Sequence, residues 1–472
     1  MKLRPYSEYK DSGVPWLGTV PVHWQIKPNR ALFQEIREAN YPDEEMLSVT
    51  ITKGVILQSE LLSETSKKDS SNVDKSKYKR VCPGDLVYNK MRAWQGAIGL
   101  SHYRGIVSPA YIVERPREEI VAEYAHYLFR TPRFAKEAER WSYGITSDQW
   151  SLRPEHFKAI YTCVPPKNEQ TQIARFLDWK TAQIDRVIRA KRQLIERLKE
   201  QKQVLINQAV TGAIDVRTGK PHPEYKDSGV PWLGKVPAGW EVLPIKRVVR
   251  FNPSKSETGD SPSVNKQLCF LPMERISEEG EIDCSEKRQL SEVWEGFTYF
   301  RRGDVVLAKI TPCFENGKGA YLSELETEYG FGTTELFVLR PTQKIHGDFL
   351  RFVTATKTFR WLGAQNMTGA AGQQRVPSSF VKNFQIGLPP LDEQEAIVSF
   401  IQRISNSIGT AITRTQREID LIQECRTRLI ADVVTGKLDV RGVEVPDFDK
   451  RAAGDTDTKE SEIPACDQEV VA

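Results

Sequence analysis

Three kinds of short stretch carry residue types that catalysis uses, and each fails on spacing or context. Glu8-Tyr9-Lys10 and its copy Glu224-Tyr225-Lys226 fit the Glu-x-Lys of a nuclease, yet no properly spaced Pro-Asp precedes either. Asp392-Glu393-Gln394-Glu395 resembles the acidic pair of a nucleotide-hydrolysis site, but it opens a long proline-free segment, where Asp is better explained as a helix cap. "VPPK" (164–167) and "LPPL" (388–391) lack the polar residue that an amino-methyltransferase places before Pro-Pro-aromatic. No GxxxxGK[ST] phosphate loop occurs. Seven cysteines and six histidines are scattered without a CxxC pair, which speaks for reduced thiols in a cytoplasm and against a zinc centre. The expectation is a protein with no catalytic residues, no metal and no cofactor of its own.

Binding chemistry is better represented. From Glu444 to Ala472 nine acidic residues stand against three basic ones, so a chain of net charge +4 carries +10 on its other 443 residues. That body suits a polyanionic partner, and the tail has the composition of a disordered segment. Two pairs of Gly-bounded polar loops have side chains suited to base edges or phosphates. One pair is "KMRAWQG" (90–96), with Lys90, Arg92 and Gln95, and "KITPCFENGKG" (309–319), with Lys309, Asn316 and Lys318. The other is "GITSDQW" (144–150), with Gln149, and "GAAGQQR" (369–375), with Gln374 and Arg375.

These loops come in pairs because the chain is an internal repeat. Tyr9–Trp24 and Tyr225–Trp240 agree at 13 of 16 positions. "GDLVYNK" (84–90) is answered by "GDVVLAK" (303–309), "VPPKNEQ" (164–170) by "LPPLDEQ" (388–394), and "VTGAIDVR" (210–217) by "VTGKLDVR" (434–441). Between the anchors, residues 91–140 and 310–365 share little, so a common frame holds divergent fillings. The phrase "YKDSGVPWLG" combines Asp-Ser-Gly turn chemistry with prolines that hold the chain extended. It reads as a strap anchored by Trp16, Trp24, Trp232 and Trp240, or as a surface that docks two copies of one partner.

Each "PPxxEQ" opens a segment that reads as a long helix, with Asn168 or Asp392 as N-cap and Asp392–Glu395 at capping-box spacing. Leu177, Ile184, Leu198 and Leu205 fall on one heptad position with Lys191 as the exception; Ile188 and Ile195 lie beside them. The second helix repeats this with Ile401, Ile408, Ile422 and Leu429, exception Thr415, flanked by Ile412 and Ile419. Matched stripes predict an antiparallel coiled coil, a rod of about 63 Å that returns the carboxyl end to the amino end. The expected fold is α+β: two mixed α/β domains separated by the helix pair in a pseudo-two-fold repeat. The expected boundaries are 1–168, helix 169–212, 213–391, helix 392–436 and a tail over 437–472.

Two variable domains, each opened by "PWLGxVPxxW" and closed by "PPxxEQ" and a long helix, resemble the specificity subunit of type I restriction-modification enzymes. The resemblance covers the chain apart from the tail, and it is carried by the order and duplication of motifs that are individually weak. It implies that each domain is a target-recognition domain reading one half of an asymmetric bipartite double-stranded DNA site. It further implies two modification (methyltransferase) subunits that use S-adenosylmethionine on adenine, and restriction subunits that use ATP and Mg. The alternative is a coiled-coil assembly scaffold without sequence readout, which leaves the divergence of the fillings unexplained. A nuclease or helicase would need motifs that are absent.

Overall fold

The computed structural model describes residues 3–64, 74–144, 150–370 and 372–446. The chain divides into two compact units: unit 1 takes the residues up to Lys191 together with those from Arg417 onward, and unit 2 is Arg192–Gln416. The divisions fall inside both long helices, not at their ends as the sequence boundaries had them. The reason is packing: the start of each helix stays on the domain that precedes it, and its end is buried in the other unit's core.

In each unit the repeated phrase folds back into a hairpin, Tyr9–Asp11 with Thr19–Pro21 and Tyr225–Asp227 with Lys235–Pro237. The turn chemistry operates as the residue types require: Asp11 Oδ1 accepts the Gly13 N–H at 3.0 Å, and Asp227 Oδ1 accepts that of Gly229 at 2.9 Å. Behind the hairpin stands an antiparallel four-stranded sheet with the same order twice. In unit 1 the order is Phe33–Ile36, Tyr111–Pro116, Leu86–Asn89, Ile98–Leu100; in unit 2 it is Val249–Phe251, Leu336–Pro341, Val305–Ala308, Gly319–Tyr321.

The "GD" repeat explains itself in this sheet. Buried Asp85 accepts two hydrogen bonds from Arg115 (2.8 and 3.0 Å) and one from the Cys82 N–H (2.9 Å). Asp304 does the same with Arg340 (2.6 and 2.9 Å) and the Arg301 N–H (2.9 Å). A buried carboxylate is tolerated because a bidentate guanidinium and a backbone donor satisfy it. The fillings differ around this common sheet. Unit 2 adds a second four-stranded sheet containing the parallel pair Gln267–Leu271 and Tyr329–Gly332, where unit 1 has two-stranded pairs among its described residues.

The "PPxxEQ" phrase does not cap its helix through Asn168 or Asp392. The helices run Lys167–Val210 and Leu391–Val434, so both residues sit in the first turn, and the carbonyls of Pro166 and Pro390 accept the first helical hydrogen bonds. Glu and Gln of the phrase instead face the domain. Glu169 accepts from Trp24 Nε1 (2.9 Å), the Tyr6 hydroxyl (2.5 Å) and His23 (2.8 Å); Glu393 accepts from Trp240 Nε1 (3.1 Å). Burial, with Glu169 beside it, pushes the Tyr6 hydroxyl far above its ordinary pKa. Gln170 and Gln394, both fully buried, each bridge two carbonyls and one N–H in an identical pattern.

At the other helix end the "VTG" phrase meets the hairpin. Gly212 and Gly436 close the helices at φ 73 and 76, and a Cβ on either would lie 2.4 Å from Cδ of Pro237 or Pro21. Trp24 and Trp240 are fully buried on these glycines; Trp16 is buried edge-on to Phe134, and Trp232 is half-buried, stacked on Phe384 at 4.6 Å. All four indoles thus face their own unit's interior.

Within unit 1 the helices pair antiparallel, Asp185 with Arg426 at 3.4 Å and Lys191 with Glu418 at 2.5 Å. Leu177, Leu429 and Ile430 pack in the same core, and in unit 2 Ile206 and Val210 share a core with Ile397 and Ile401. The apolar stripe is deeper than the sequence placed it. Leu177 and Ile401 are fully buried, but Ile184, Leu198, Leu205, Ile408, Ile422 and Leu429 are half-buried, while of the neighbouring isoleucines Ile188, Ile195 and Ile419 are buried and Ile412 is half-buried. A two-helix seam needs both alternating heptad positions, and the second one lies closer to the partner. Residues 437–446, which sequence assigned to the tail, also pack: Val440 and Val443 are buried in the core of unit 1, and Asp439 bridges Arg4.

Candidate nucleic-acid interface

The loops begin where the clamped strands end. After Asn89, whose Oδ1 accepts the Met91 N–H at 3.0 Å, a 3-10 turn at Ala93–Gln95 is closed by Gly96 at φ 95 and anchored by buried Ala93. That leaves Arg92 and Gln95 exposed and Lys90 half-buried. In unit 2 the turn is Cys313–Asn316, closed by Gly317 at φ 85 over buried Phe314, with Asn316 exposed.

The structure brings the two predicted loops of each unit together. The Lys90 carbonyl accepts the Leu152 N–H at 2.8 Å, and Trp94 packs on Trp150 with ring centroids 5.5 Å apart. The Lys309 carbonyl accepts the Val376 N–H at 2.9 Å, and Thr311 N–H donates to Gln374 O at 2.9 Å. One junction is therefore built twice from unlike residues. Gln149 lies outside the described residues.

The two junctions differ in charge. In unit 1 Lys90, Arg92 and Arg153 have no ion pair among the described residues. In unit 2 Arg375 is bidentate to Glu335 (2.9 and 2.8 Å), Lys318 donates to Met273 O (3.1 Å), and Lys309 lies 5.6 Å from the centroid of the Phe337 ring. Asn316 and Gln374 are uncharged residues of that junction, and among the described residues neither Lys309 nor Lys318 has a salt bridge.

Beside the unit 1 junction opens a cleft of about 710 Å³, lined by Lys90, Met91, Ile112, Tyr143, Arg153 and Glu155, among others. Arg37 and Lys79 complete a basic side that sequence reasoning missed. Arg153 was within reach of it, three residues beyond the second loop, whereas Lys79 and Arg37 arrive from other strands and only topology unites them. Burial raises Glu35 here, but Arg37 and Lys158 outweigh it and hold the carboxylate below its usual range. Burial pulls the Lys79 ammonium down. Behind this lining, across the strands from Glu35, burial pushes the Glu114 carboxyl up to about 7. The cleft combines the cationic side chains of Lys90 and Arg153 with the apolar surface of Met91, Pro109 and Ile112.

Residues 289–420 match the family model described as Type I restriction modification DNA specificity domain. The chain is 37% identical over 210 residues to the type I restriction enzyme EcoAI specificity subunit of Escherichia coli, covering 44% of this chain. It thereby spans about a third (33%) of that relative's length. A solved chain from work on complex assembly and conformational transition of the type I R-M system superposes with TM-score 0.65 at 15% identity, over 89% of this chain and 99% of that one. The HsdS subunit from Thermoanaerobacter tengcongensis superposes with TM-score 0.51 at 17% identity, over 89% and 98%. Both likenesses bear on the fold.

Proposed function

We propose, taking kinship with the specificity subunits of type I restriction enzymes as the premise, that this chain is the DNA-reading subunit of a type I restriction-modification complex. Each unit reads one half of an asymmetric bipartite site in double-stranded DNA through its loop junction. The observation that carries this reading is the junction itself: the same strand end, the same backbone hydrogen bond and different side chains. A scaffold has no use for a constant mount with variable contacts. The long helices act as an antiparallel coiled coil that sets the half-site distance.

The chain contributes no catalytic group. Two modification subunits methylate adenine with S-adenosylmethionine, and restriction subunits cleave with ATP and Mg, in the cytoplasm. Among the described residues no helix is long and apolar enough to cross a membrane.

Methylated adenines are mapped in cells that express the chain with its modification subunit. The expected result is a two-part motif with a fixed unspecified spacer and unlike halves. A continuous or palindromic motif overturns the bipartite reading, and methylation or binding without sequence preference returns the scaffold.

A further inference from the structure

We propose that the cleft of unit 1 is a site for a single nucleotide, its phosphate at the mouth and its base against the inner wall. A volume of about 710 Å³ lies inside the range of roughly 300–1,000 Å³ that small ligands occupy. Lys90 and Arg153, without ion pairs among the described residues, offer a phosphate two cations. Glu155 is the lining carboxylate without an ion pair, and it lies at the exposed rim, suited to accept from an amino group. Met91, Pro109 and Ile112 supply the apolar surface that a base face needs. Tyr143, 76% exposed, lines the same cleft with a ring free to stack.

Two buried groups lie behind this lining, each one strand neighbour away from it. Glu114 lies directly across from cleft-lining Glu35 and two residues from cleft-lining Ile112, which strand alternation puts on the same face. Tyr88 is the cross-strand neighbour of Ile112 on that face. Both side chains are fully buried, and among the described residues neither Glu114 oxygen nor the Tyr88 hydroxyl has a hydrogen-bond partner. Buried polar groups are ordinarily satisfied. Burial raises the Glu114 carboxyl toward its protonated form, and a protonated carboxyl donates and accepts side by side, which matches the paired donor and acceptor on a base edge. A bare anion would leave the apolar wall and the two polar groups unused.

The nucleotide has two possible sources, a free one or one extruded from bound DNA. The full chain is titrated by calorimetry with each deoxynucleoside monophosphate and with inorganic phosphate. One saturable nucleotide site per chain is expected, at least tenfold tighter than phosphate. It weakens about fivefold or more in Lys90→Ala and Arg153→Ala, and also in Tyr88→Phe and Glu114→Gln, whose melting curves report folding. DNA carrying 2-aminopurine at successive target positions supplies the second arm. Enhanced emission at one position, lost in Tyr143→Ala, assigns the site to an extruded nucleotide; nucleotide saturation without enhancement assigns it to a free one. Phosphate binding as tightly as the nucleotides means an adventitious ion only and overturns the proposal, as does saturation unaffected by Tyr88→Phe and Glu114→Gln. Sequence-specific DNA binding with neither saturation nor enhancement overturns it too, and leaves the DNA-reading function standing.

Discussion

At the scale of single residues, the two units are predicted to hold DNA by different means. Lys90→Ala and Arg153→Ala should each weaken DNA binding evenly across sequences and reduce the salt slope by about one, since each removes one cation from a phosphate. Binding isotherms from 50 to 200 mM salt, the range over which counterion release is ordinarily resolved, read both effects. Arg375→Ala should change the slope less, because Glu335 already neutralises that guanidinium. Glu114 predicts a pH dependence of stability. Below its ordinary pKa of 4.5 the carboxyl is protonated in the folded and unfolded chain alike and contributes nothing. Between 4.5 and about 7 the unfolded chain ionises and the folded one does not, so stability falls as pH rises, and above 7 the penalty is complete. The groups facing it are Lys158, Glu35, Arg37 and Lys79. Glu114→Gln should therefore leave stability at pH 4 nearly unchanged and raise it at pH 8 by about 1–3 kcal/mol, measured by urea melts at both values. Sequence made the loops legible because a loop announces itself through glycines and unlike fillings. It did not reveal Glu114, Lys79 or Arg37, whose proximity to Lys90 depends on strand register.

At the scale of elements, each repeated phrase proves to be one half of a contact. "VPxxW" and "VTG" meet at a glycine, and "PWLG…W" meets "EQ" through an indole N–H. Gly212→Ala and Gly436→Ala combine a left-handed backbone with a Cβ 2.4 Å from proline carbon. Each should cost more than the ~1 kcal/mol of a simple glycine replacement, seen as a lower melting temperature. Trp16→Ala with Trp232→Ala should destabilise the chain before it affects any partner, since these rings pack inward; circular dichroism and sizing with and without a modification subunit separate the two effects. The turn in the repeated phrase, the long helices and their apolar stripe were readable because turn residues and heptads are local signals; that the strap folds back into a hairpin was not. The depth of the stripe, the proline carbonyl caps and the inward task of Glu169 and Gln170 were not, because each depends on what the rest of the chain places opposite. The second sheet of unit 2 had no readable signature, since it contains a parallel pair joined across some sixty residues.

At the scale of the whole molecule, the proposed spacing role has a direct test. A heptad inserted after both Lys191 and Thr415 keeps the apolar stripe in register and adds about 10 Å to each helix. The preferred spacer should lengthen by about three base pairs at most, read as methylation of a library of half-site spacings; an unchanged preference means that the bound subunits set the distance. The order of the two units along the chain has another consequence, for the order of synthesis. Unit 2 is one uninterrupted stretch, while unit 1 needs residues from both chain ends. Val433, Val434 and Val440 complete its core, the Tyr124 hydroxyl donates to Val434 O at 3.0 Å, and Gln172 donates to Val443 O at 2.6 Å. The half made first on the ribosome is therefore finished last. Released chains ending just past Gln416 should resist protease across 192–416 and be cut within 1–191, so an intermediate of synthesis is expected in which unit 2 is folded and unit 1 waits for its final helix turns.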